Sequence, residues 1–532
     1  MTRRALIAVV ALAACNTFDK KLPPNAACSA NSQCNDMLGE PAWCVDPGMP
    51  TAACVPLMTD DCMTITGDPT DDSAVLIATL LSITGAQAST NLARQQSAIL
   101  AVEEINQSNA SGGILESSTP GDARKLVLLS CDEIANLPRA VTHLVTELKV
   151  PAIIGPNLSQ DTLDVTLGDD TRGLPSSAQA GTALLTPAAV ASAIATVPDN
   201  GLTFQMVPPD ILRIPVMKDQ IAQLETQLKA ATGKTTLKLL IYYRNDAFGQ
   251  GTADALNSLT FNGQSLATNI SLGNAKVDSY DPTLTTADTR ISTTYAPFAP
   301  DIVIAVGTGE IVADLMTPLE QAWTDTSHYP YYIATDSTKV PGLLTAVKGA
   351  PNNFLQRVRG TGVLTTAESA NVFSAFQVLY GQRWKDAMGN PQPTTISNMG
   401  QSYDAVYSIA LALVGQTNVS GATIAANLHG LASLSQTCAT DPSGFVSPCY
   451  ADSDYARSLY GWMGMMIDGM PVTSIGTFAR FTWDDNGSKN AGVIEVWCIN
   501  SNSGNTPIYF SSGVKYDVAT QAYLNPTYTQ CP

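Results

Sequence analysis

Residues 149–166 read KVPAIIGPNLSQDTLDVT, and this stretch decides the fold class. The apolar run 150–154 predicts a buried strand, Gly155 and Pro156 end it, and Ser159 opens a segment with helical periodicity. The turn therefore joins a strand to a helix and carries a serine near its tip. What such a turn binds is the question that the sequence raises.

The same alternation of strands and helices extends on both sides of this stretch. Before and after it we predict strand 74–83, helix 92–107, strand 125–130, helix 136–148, strand 150–154, helix 159–167 and strand 183–186. A second series follows Pro208 and Pro209: helix 214–231, strand 237–243, a helix after 249–251, strand 301–306, helix 310–323 and strand 331–334. Alternation of this kind predicts an α/β fold with parallel sheets, in which the same unit is used twice.

The C-terminal third predicts less regular structure. We expect a helix ending near Tyr380, a helix over 403–414, and a hairpin in which 478–483 and 493–499 flank a turn at 484–487. Residues 437–470 have the composition of an irregular insertion, and Cys438 and Cys449, with ten residues between them, are expected to pair within it.

Composition limits the classes of function. The chain has 532 residues, 45% of them hydrophobic, which is enough for several packed domains. Lys and Arg number 28 against 46 Asp and Glu, a formal net charge of -18, and no basic cluster could follow a phosphate backbone. We therefore expect no nucleic-acid partner.

The first fifteen residues resemble a bacterial lipoprotein signal. Arg3 and Arg4 precede the apolar run 5–14, and Leu12-Ala13-Ala14-Cys15 follows the pattern of a lipidation site. Ten apolar residues are too few to cross a bilayer. The resemblance implies cleavage before Cys15, lipidation of its thiol, and a protein exported to the bacterial cell envelope and held there by lipid alone, on the periplasmic face or the outer membrane. The alternative is a short buried helix with an ordinary cysteine.

Ten cysteines remain after Cys15, an even number that favours disulfides in an exported chain. Cys28, Cys34, Cys44 and Cys54 are separated by five, nine and nine residues, and they predict two disulfides in a small loop-rich module more readily than a zinc site, which favours closer pairs. Cys62 with Cys131, and Cys498 with Cys531, are further candidate pairs. We expect residues 16–72 to form a linker that contains this module.

A search for enzyme motifs finds none. The sequence has no G-x-S-x-G elbow and no H-E-x-x-H, and its three histidines are far apart. Gly233-Lys234-Thr235 lacks the upstream glycine of a phosphate-binding loop, and the turn 484–487 lacks the closing Glu of a calcium loop. We therefore expect a protein that is not an enzyme and that needs no cofactor and no metal.

The remaining signals are turns at the carboxyl ends of predicted strands. They lie at 155–159, 186–189, 245–251 and 334–336, two in each half of the alternating region. Ligands of open α/β sheets bind at such turns. If the two halves face each other, the four turns line one cleft.

The order of eight motifs resembles the type I periplasmic solute-binding family, which contains the leucine/isoleucine/valine receptor of ABC importers. The motifs are SITGAQASTN, AILAVEEIN with SGGI, VPAIIGPNLS, LLTPAA, YYRNDAFGQG, PDIVIAVG, QSYDAVYSIALAL and FTWDDNGS, within residues 73–500. The resemblance implies two α/β lobes, three crossovers, and a cleft that closes over a small ligand. It also implies these parts: 73–206 and 367–475 in the first lobe, 207–366 in the second, and 476–532 as a C-terminal segment with the hairpin and a return to the second lobe.

The resemblance also implies ligand-binding residues. Ser159 and Ala188 stand where amino-acid-binding members hold a carboxylate, Asp336 where they hold an ammonium group, and Val190 and Phe248 where they carry threonine and tyrosine. Asn157 and Thr90 complete the expected set.

Local alternatives exist for three of these positions. Ser159 also suits a helix N-cap, Asp336 a water-exposed loop, and Phe248 the space between a strand and a helix. The missing threonine hydroxyl argues against an ordinary amino acid as ligand.

These observations predict an extracytoplasmic ligand-binding lipoprotein of an ABC importer, which captures an amino acid or similar small polar metabolite and delivers it to a permease in the inner membrane. The alternative is an envelope interaction or sensory lipoprotein of the same fold, with a degenerate or repurposed cleft.

Overall fold

The structure, a computed structural model, describes residues 27–108, 112–119, 121–283, 288–394, 396–431, 439–440, 446–447, 455–469, 473–501, 505–529 and 531. Cys15 with the predicted export signal, and Cys438 and Cys449 with their predicted disulfide, lie outside these residues.

Six strands form the sheet of the first lobe. Two of them, Val75–Leu81 and Leu126–Asp132, read VLIATLL and LVLLSCD and are buried along their whole length, as is typical of strands covered on both faces. The order across the sheet is Thr203–Gln205, Ala183–Thr186, Ala152–Ile154, Val75–Leu81, Leu126–Asp132 and Cys62–Thr66. The first five strands run parallel, and Cys62–Thr66 pairs antiparallel at the edge.

Eight strands form the sheet of the second lobe. Their order is Ala275–Tyr280, Leu239–Arg244, Ile302–Val306, Tyr331–Ala334, Val358–Leu364, Val493–Ser501, Pro507–Asp517 and Ala522–Asn525. The first five are parallel and the last three are antiparallel. Four short ribbons stand apart: Ala42–Val45 with Ala53–Pro56, Ile114–Leu115 with Ala123–Arg124, Thr260–Phe261 with Gln264–Ser265, and Ala439–Thr440 with Val446–Ser447.

Helices cover the faces of both sheets. Those of the first lobe are Ala88–Ile105, Glu133–Val141, Ser159–Leu167, Ser177–Ala180, Ala370–Arg383, Met399–Ala412, Gly421–Leu428 and Tyr455–Ile467. Those of the second are Ile214–Thr232, Ala247–Ala255, Leu266–Ser271, Ala296–Phe298, Thr317–Ala322 and Pro341–Val347. Asn31–Leu38 lies in the N-terminal segment. Wider π-helical turns occupy Thr142–Glu147, Ile291–Tyr295 and Val312–Met316. Tighter turns occupy Gly85–Gln87, Ser192–Thr196, Asp210–Leu212, Leu256–Ser258, Asp336–Thr338 and Phe354–Arg357.

The chain passes between the two lobes three times: after Thr203–Gln205, after Val358–Leu364 and before Val493–Ser501. Each sheet is packed on both faces, by the clusters that contain Ile77 and Leu80 in the first lobe and Tyr332 and Ile333 in the second. The strands and helices predicted up to residue 334 are present, with ends that differ by a few residues. The α/β fold with two mostly parallel sheets agrees with the prediction.

The predicted C-terminal hairpin is wrong. Residues 478–483 form no ladder with 493–499; Trp483 instead makes an isolated bridge with Lys489. Val493–Ser501 pairs with Val358–Leu364 on one side and with Pro507–Asp517 on the other. The alternating apolar pattern was read correctly as a strand, but its partners are distant in sequence.

Residues 16–72 were predicted to form a linker that contains the cysteine module, but their described part also packs against the first lobe. Cys62–Thr66 completes the first sheet, and His143 of that lobe contacts the carbonyl oxygen of Leu57 at 3.2 Å. Leu57 is fully buried in the core of the first lobe. The segment therefore packs against the lobe instead of standing away from it.

Disulfides staple the described part of this segment. Cys28 pairs with Cys44 and Cys34 with Cys54, which accounts for the cluster of sulfurs without a metal. The candidate pairs Cys62–Cys131 and Cys498–Cys531 are both present. Across the described ranges, no helix combines the length and apolar composition needed to cross a membrane.

Candidate functional site

A cavity lies in the cleft between the lobes, at the carboxyl ends of the parallel strands. Residues from both lobes line it, and Ser397 joins them from the segment before Met399–Ala412. The full lining is Gln87, Thr90, Arg94, Asn157, Leu158, Ser159, Ala188, Val190, Arg244, Asp246, Phe248, Thr308, Ser337, Lys339, Val340 and Ser397. Six of the seven predicted ligand-binding residues are in this set, and Asp336 is not.

Ser159 is the first residue of its helix, so the N-cap alternative is wrong. Its Oγ accepts hydrogen bonds from the backbone N–H groups of Val190 and Ala191, both at 3.1 Å. The hydroxyl thus ties the turn 155–159 to the turn 186–191 and keeps its own proton for donation. Direct contact between Ser159 and a ligand stays a prediction.

Val190 and Phe248 form an apolar part of the cleft wall. Both are buried, and both belong to the hydrophobic cluster of the second lobe, although Val190 follows a strand of the first. The departures from threonine and tyrosine therefore replace polar groups by an apolar contact between the lobes.

Asp336 is buried against Arg213, so the water-exposed alternative is wrong. Asp210 lies 3.7 Å from the same guanidinium. Burial acts to lower the pKa of Arg213, but Asp336 and Asp210 outweigh it and raise that pKa. Because Asp336 already bonds a cation of the protein, this arrangement does not favour the predicted ammonium role.

Arg94 is a cleft residue that sequence reasoning missed. Its residue is only 4% exposed, and its guanidinium donates to Asn91 Oδ1 at 2.9 Å, to the carbonyl oxygen of Ser397 at 3.0 Å and to Asn157 Oδ1. Among the described residues no carboxylate lies within 4.0 Å of it. A signal was present: Arg94 falls on the buried face of Ala88–Ile105, one and two turns before Ala98 and Val102.

Glu133 lies near Arg94 but is not its counter-ion. Its carboxyl accepts from Ser82 Oγ and, at 3.2 Å, from the backbone N–H of Asn157. Burial, followed by repulsion from Asp161, raises the pKa of Glu133 to about 8. Burial therefore favours the protonated form of this carboxyl. Burial also lowers the pKa of Arg94, to about 10, which still leaves it cationic.

The two cations of the second lobe that line the cavity, Arg244 and Lys339, are paired. Arg244 contacts Asp246 and lies 2.9 Å from Glu310 Oε1, and Lys339 lies 3.2 Å from Glu495. Burial acts to raise the pKa of Glu310, but Arg244 and Thr308 outweigh it and hold that pKa below its usual value. Asp246 also caps Ala247–Ala255 by accepting from the N–H of Gly249 at 3.0 Å.

The lobes contact each other across the cleft. Gln87 Nε2 of the first lobe donates to Thr308 Oγ1 of the second at 2.7 Å and to Glu310 at 3.3 Å. The free volume between them is 30 Å³, whereas ligand pockets usually begin near about 300 Å³. The two lobes are thus in contact at this cavity and leave little room between them.

Solved structures with the same architecture have low sequence identity to this chain. A leucine-binding protein from Thermotoga maritima, LivK, is 15% identical and has a TM-score of 0.52, covering 82% of this chain and 98% of its own. A type 1 periplasmic binding protein from Bordetella pertussis is 16% identical, with a TM-score of 0.51, and covers 82% of this chain and 100% of its own. The chain has the fold of the type I periplasmic binding proteins.

A third structure with this type I fold is a solute-binding protein of an ABC transporter from Rhodopseudomonas palustris, in complex with 3,4-dihydroxybenzoic acid. It is 14% identical, with a TM-score of 0.51, and covers 84% of this chain and 99% of its own. No family model matches the sequence, and no curated protein matches it. The fold prediction is therefore confirmed by similarity to solved structures and not by similarity of sequence.

Proposed function

We propose that this protein is an extracytoplasmic solute-binding protein that captures a small polar metabolite in the cleft and delivers it to the permease of an ABC importer. The observation that carries the proposal is the cavity itself, to which both lobes contribute polar side chains and across which Gln87 bonds Thr308. A ligand that touches both lobes only when they are closed shifts the population towards the closed form.

The named or bound ligands of two proteins with this fold set the scope of the first screen. One is called leucine-binding and another holds 3,4-dihydroxybenzoic acid. Both compounds carry a carboxylate, and they differ in the ammonium group. A screen should therefore contain amino acids, organic acids, their amides, sugars and polyamines.

Thermal unfolding of the purified protein tests the proposal. A solute that binds only the folded state raises the melting temperature, by an amount that grows with its concentration. Small-angle scattering of the same samples reports whether the binding solute also compacts the two lobes. If no class of solute shifts the melting temperature, the importer function is wrong.

The small volume of the cavity favours one alternative, an envelope interaction protein with a degenerate cleft. In that case solutes have no effect, and affinity capture with the lipidated protein recovers the same protein partner when the cleft variant Ser159→Trp is used as bait. Loss of that partner with Ser159→Trp contradicts the alternative.

The proposed envelope location depends on lipidation of Cys15. We expect Cys15→Ala to move the protein from the membrane fraction to the soluble fraction and to abolish its labelling by a fatty-acid probe. An unchanged distribution would exclude the lipid anchor.

A further inference from the structure

Among the described residues, Arg94 has no carboxylate in contact with it in an otherwise paired cleft, and Asp336 and Glu133 act on its charge only from a distance. Its hydrogen-bond acceptors, Asn91 Oδ1, Asn157 Oδ1 and the carbonyl oxygen of Ser397, are all neutral. Burying a guanidinium without a counter-ion is costly for folding, and protein interiors normally pair such a charge. Since no described carboxylate fills that place, an anion from outside the chain is the natural partner.

Three further donors line the same cavity without an acceptor among the described residues. They are the hydroxyl proton of Ser159, the Nδ2 group of Asn157 and the backbone N–H of Ala188. Asn157 directs its oxygen to Arg94, so the amide nitrogen is left for another group. The Nε–H group and both Nη1 hydrogens of Arg94 are already bonded, so its Nη2 group, supported by these neutral donors, is left for an oxygen of a carboxylate.

The balance of charge in the cleft limits the ligand to one negative charge. Arg244 is already bonded to Glu310 and Asp246, Lys339 to Glu495, and Arg213 to Asp336. Only Arg94 offers a free positive charge in the described part of the cleft. A dianion such as phosphate would leave an unbalanced negative charge close to Asp246 and Glu310.

The same pairing leaves no carboxylate for a ligand ammonium group. Asp336 lies outside the cavity and bonds Arg213, and Asp246 and Glu310 bond Arg244. We infer that the cleft selects a singly charged carboxylate, which Arg94 holds through its Nη2 group, and that the ligand needs no ammonium group. This inference rests on the proposed function, because it names the class of solute that the cleft would capture.

Matched acids and amides test the inference on the unmodified protein. Calorimetric titrations compare 4-methylpentanoate, 4-methylpentanamide, leucine and leucinamide, and then 3,4-dihydroxybenzoate, 3,4-dihydroxybenzamide and inorganic phosphate. We expect binding of at least one carboxylate, with at least tenfold weaker binding of its amide. We also expect 4-methylpentanoate to bind no more weakly than leucine, and phosphate to bind weakly or not at all.

Variants of Arg94 test whether this residue causes the preference for an acid over its amide. Arg94→Gln should reduce the acid-to-amide preference to about one, and Arg94→Lys, which keeps the charge but loses the guanidinium group, should give an intermediate value. Arg383→Gln, which disturbs a surface pair with Glu103 and a contact with the Trp384 ring outside the cavity, is the matched control and should keep the full preference. If Arg94 had only a structural role, its substitution would weaken the binding of acid and amide equally and leave the ratio of their affinities unchanged.

The outcomes separate the inference from the function on which it rests. If amides or leucinamide bind as tightly as the acids, or if Arg94→Gln keeps the preference, the inference is overturned while solute binding stands. Tighter binding of phosphate than of any carboxylate overturns it as well. If no probe of any charge binds, the inference falls together with the proposed function.

Discussion

On the wall of the cleft that belongs to the first lobe, Arg94 is surrounded by neutral oxygens, whereas on the opposite wall Arg244 contacts both Asp246 and Glu310. Both arginines are largely buried and both line the same cavity. A cation that is paired with a carboxylate of the protein stabilises the fold around the cavity. A cation without a contacting carboxylate is available to a ligand. The difference teaches that burial alone does not mark a binding residue; the absence of an internal partner among the described residues does.

The largest effect is expected where pairing inside the protein is broken. Arg213→Gln leaves Asp336 and Asp210 buried without their cation, and we expect it to lower the free energy of unfolding by about 4 kcal/mol. Arg94→Gln removes hydrogen bonds to neutral acceptors only, and we expect a loss of about 1–2 kcal/mol. Urea denaturation of both variants measures the difference. Equal losses would contradict the distinction between the two arginines.

The stability of the protein should depend on pH through one buried carboxyl of the first lobe. Glu104 lies on the same helix as Arg94, and its Oε1 is buried without a described partner. Burial raises its pKa from 4.5 to about 7 although Tyr407 donates to its carboxylate at 2.9 Å. An acid whose pKa is raised on folding costs stability as pH rises from its unfolded value through its folded one. We therefore expect Glu104 to cost about 3 kcal/mol between pH 4.5 and 8.

Glu104→Gln isolates this contribution, because the amide keeps an acceptor for the tyrosine hydroxyls and does not ionise. We expect the variant to be more stable than the parent at pH 8, with the advantage disappearing near pH 5. The measurement is urea denaturation across that pH range. A parallel pair of stability curves would show that Glu104 ionises normally in the folded state.

Ser159→Ala tests the tie between the two turns of the first lobe. The N–H groups of Val190 and Ala191 would lose their shared acceptor in a buried position, and we expect a loss of about 2 kcal/mol. Ser89, an exposed residue at the start of Ala88–Ile105, provides the control, since Ser89→Ala should change stability by less than about 0.5 kcal/mol. If the two alanine variants lose the same free energy of unfolding, the hydrogen bonds of Ser159 do not stabilise the two turns.

The smallest effect is expected at an exposed pair. Arg172 and Asp164 form a salt bridge with side chains 44% and 22% exposed. Solvent screens such a pair, so Asp164→Asn should cost less than about 1 kcal/mol. A loss as large as that of Arg213→Gln would remove the basis for ranking these pairs by burial.

Much of the fold could be predicted because most strands of the parallel sheets are short apolar runs followed by turn residues. Ala275–Tyr280, which reads AKVDSY at a sheet edge, lacks that pattern and was not predicted. The pairing of Val493–Ser501 could not be predicted, since an alternating pattern says which face is buried and not which strand lies beside it. Similarly, Cys62–Thr66 was assigned to a linker because its short, partly polar pattern is that of an edge strand, which is buried on few sides.

The sequence predicted which turns line the candidate site, but it did not predict which charged side chains pair with each other there. The turns at strand ends located Ser159, Asn157 and Phe248 in the cleft. Asp336 is paired with a side chain 123 residues away, and Arg94 bonds a backbone carbonyl 303 residues away, so no local pattern specifies these contacts. Arg213 in particular follows a crossover and gives no motif of its own.

The edge strand Cys62–Thr66 has a consequence for the solubility of the protein. It occupies the free N–H and C=O groups along one side of Leu126–Asp132, and its first residue is disulfide-bonded to Cys131. A shortened chain that begins at residue 73 would present an open sheet edge together with a free thiol, two features that promote association between chains. The strand Cys62–Thr66 therefore covers the sheet edge and the thiol of Cys131 that such a shortened chain would expose.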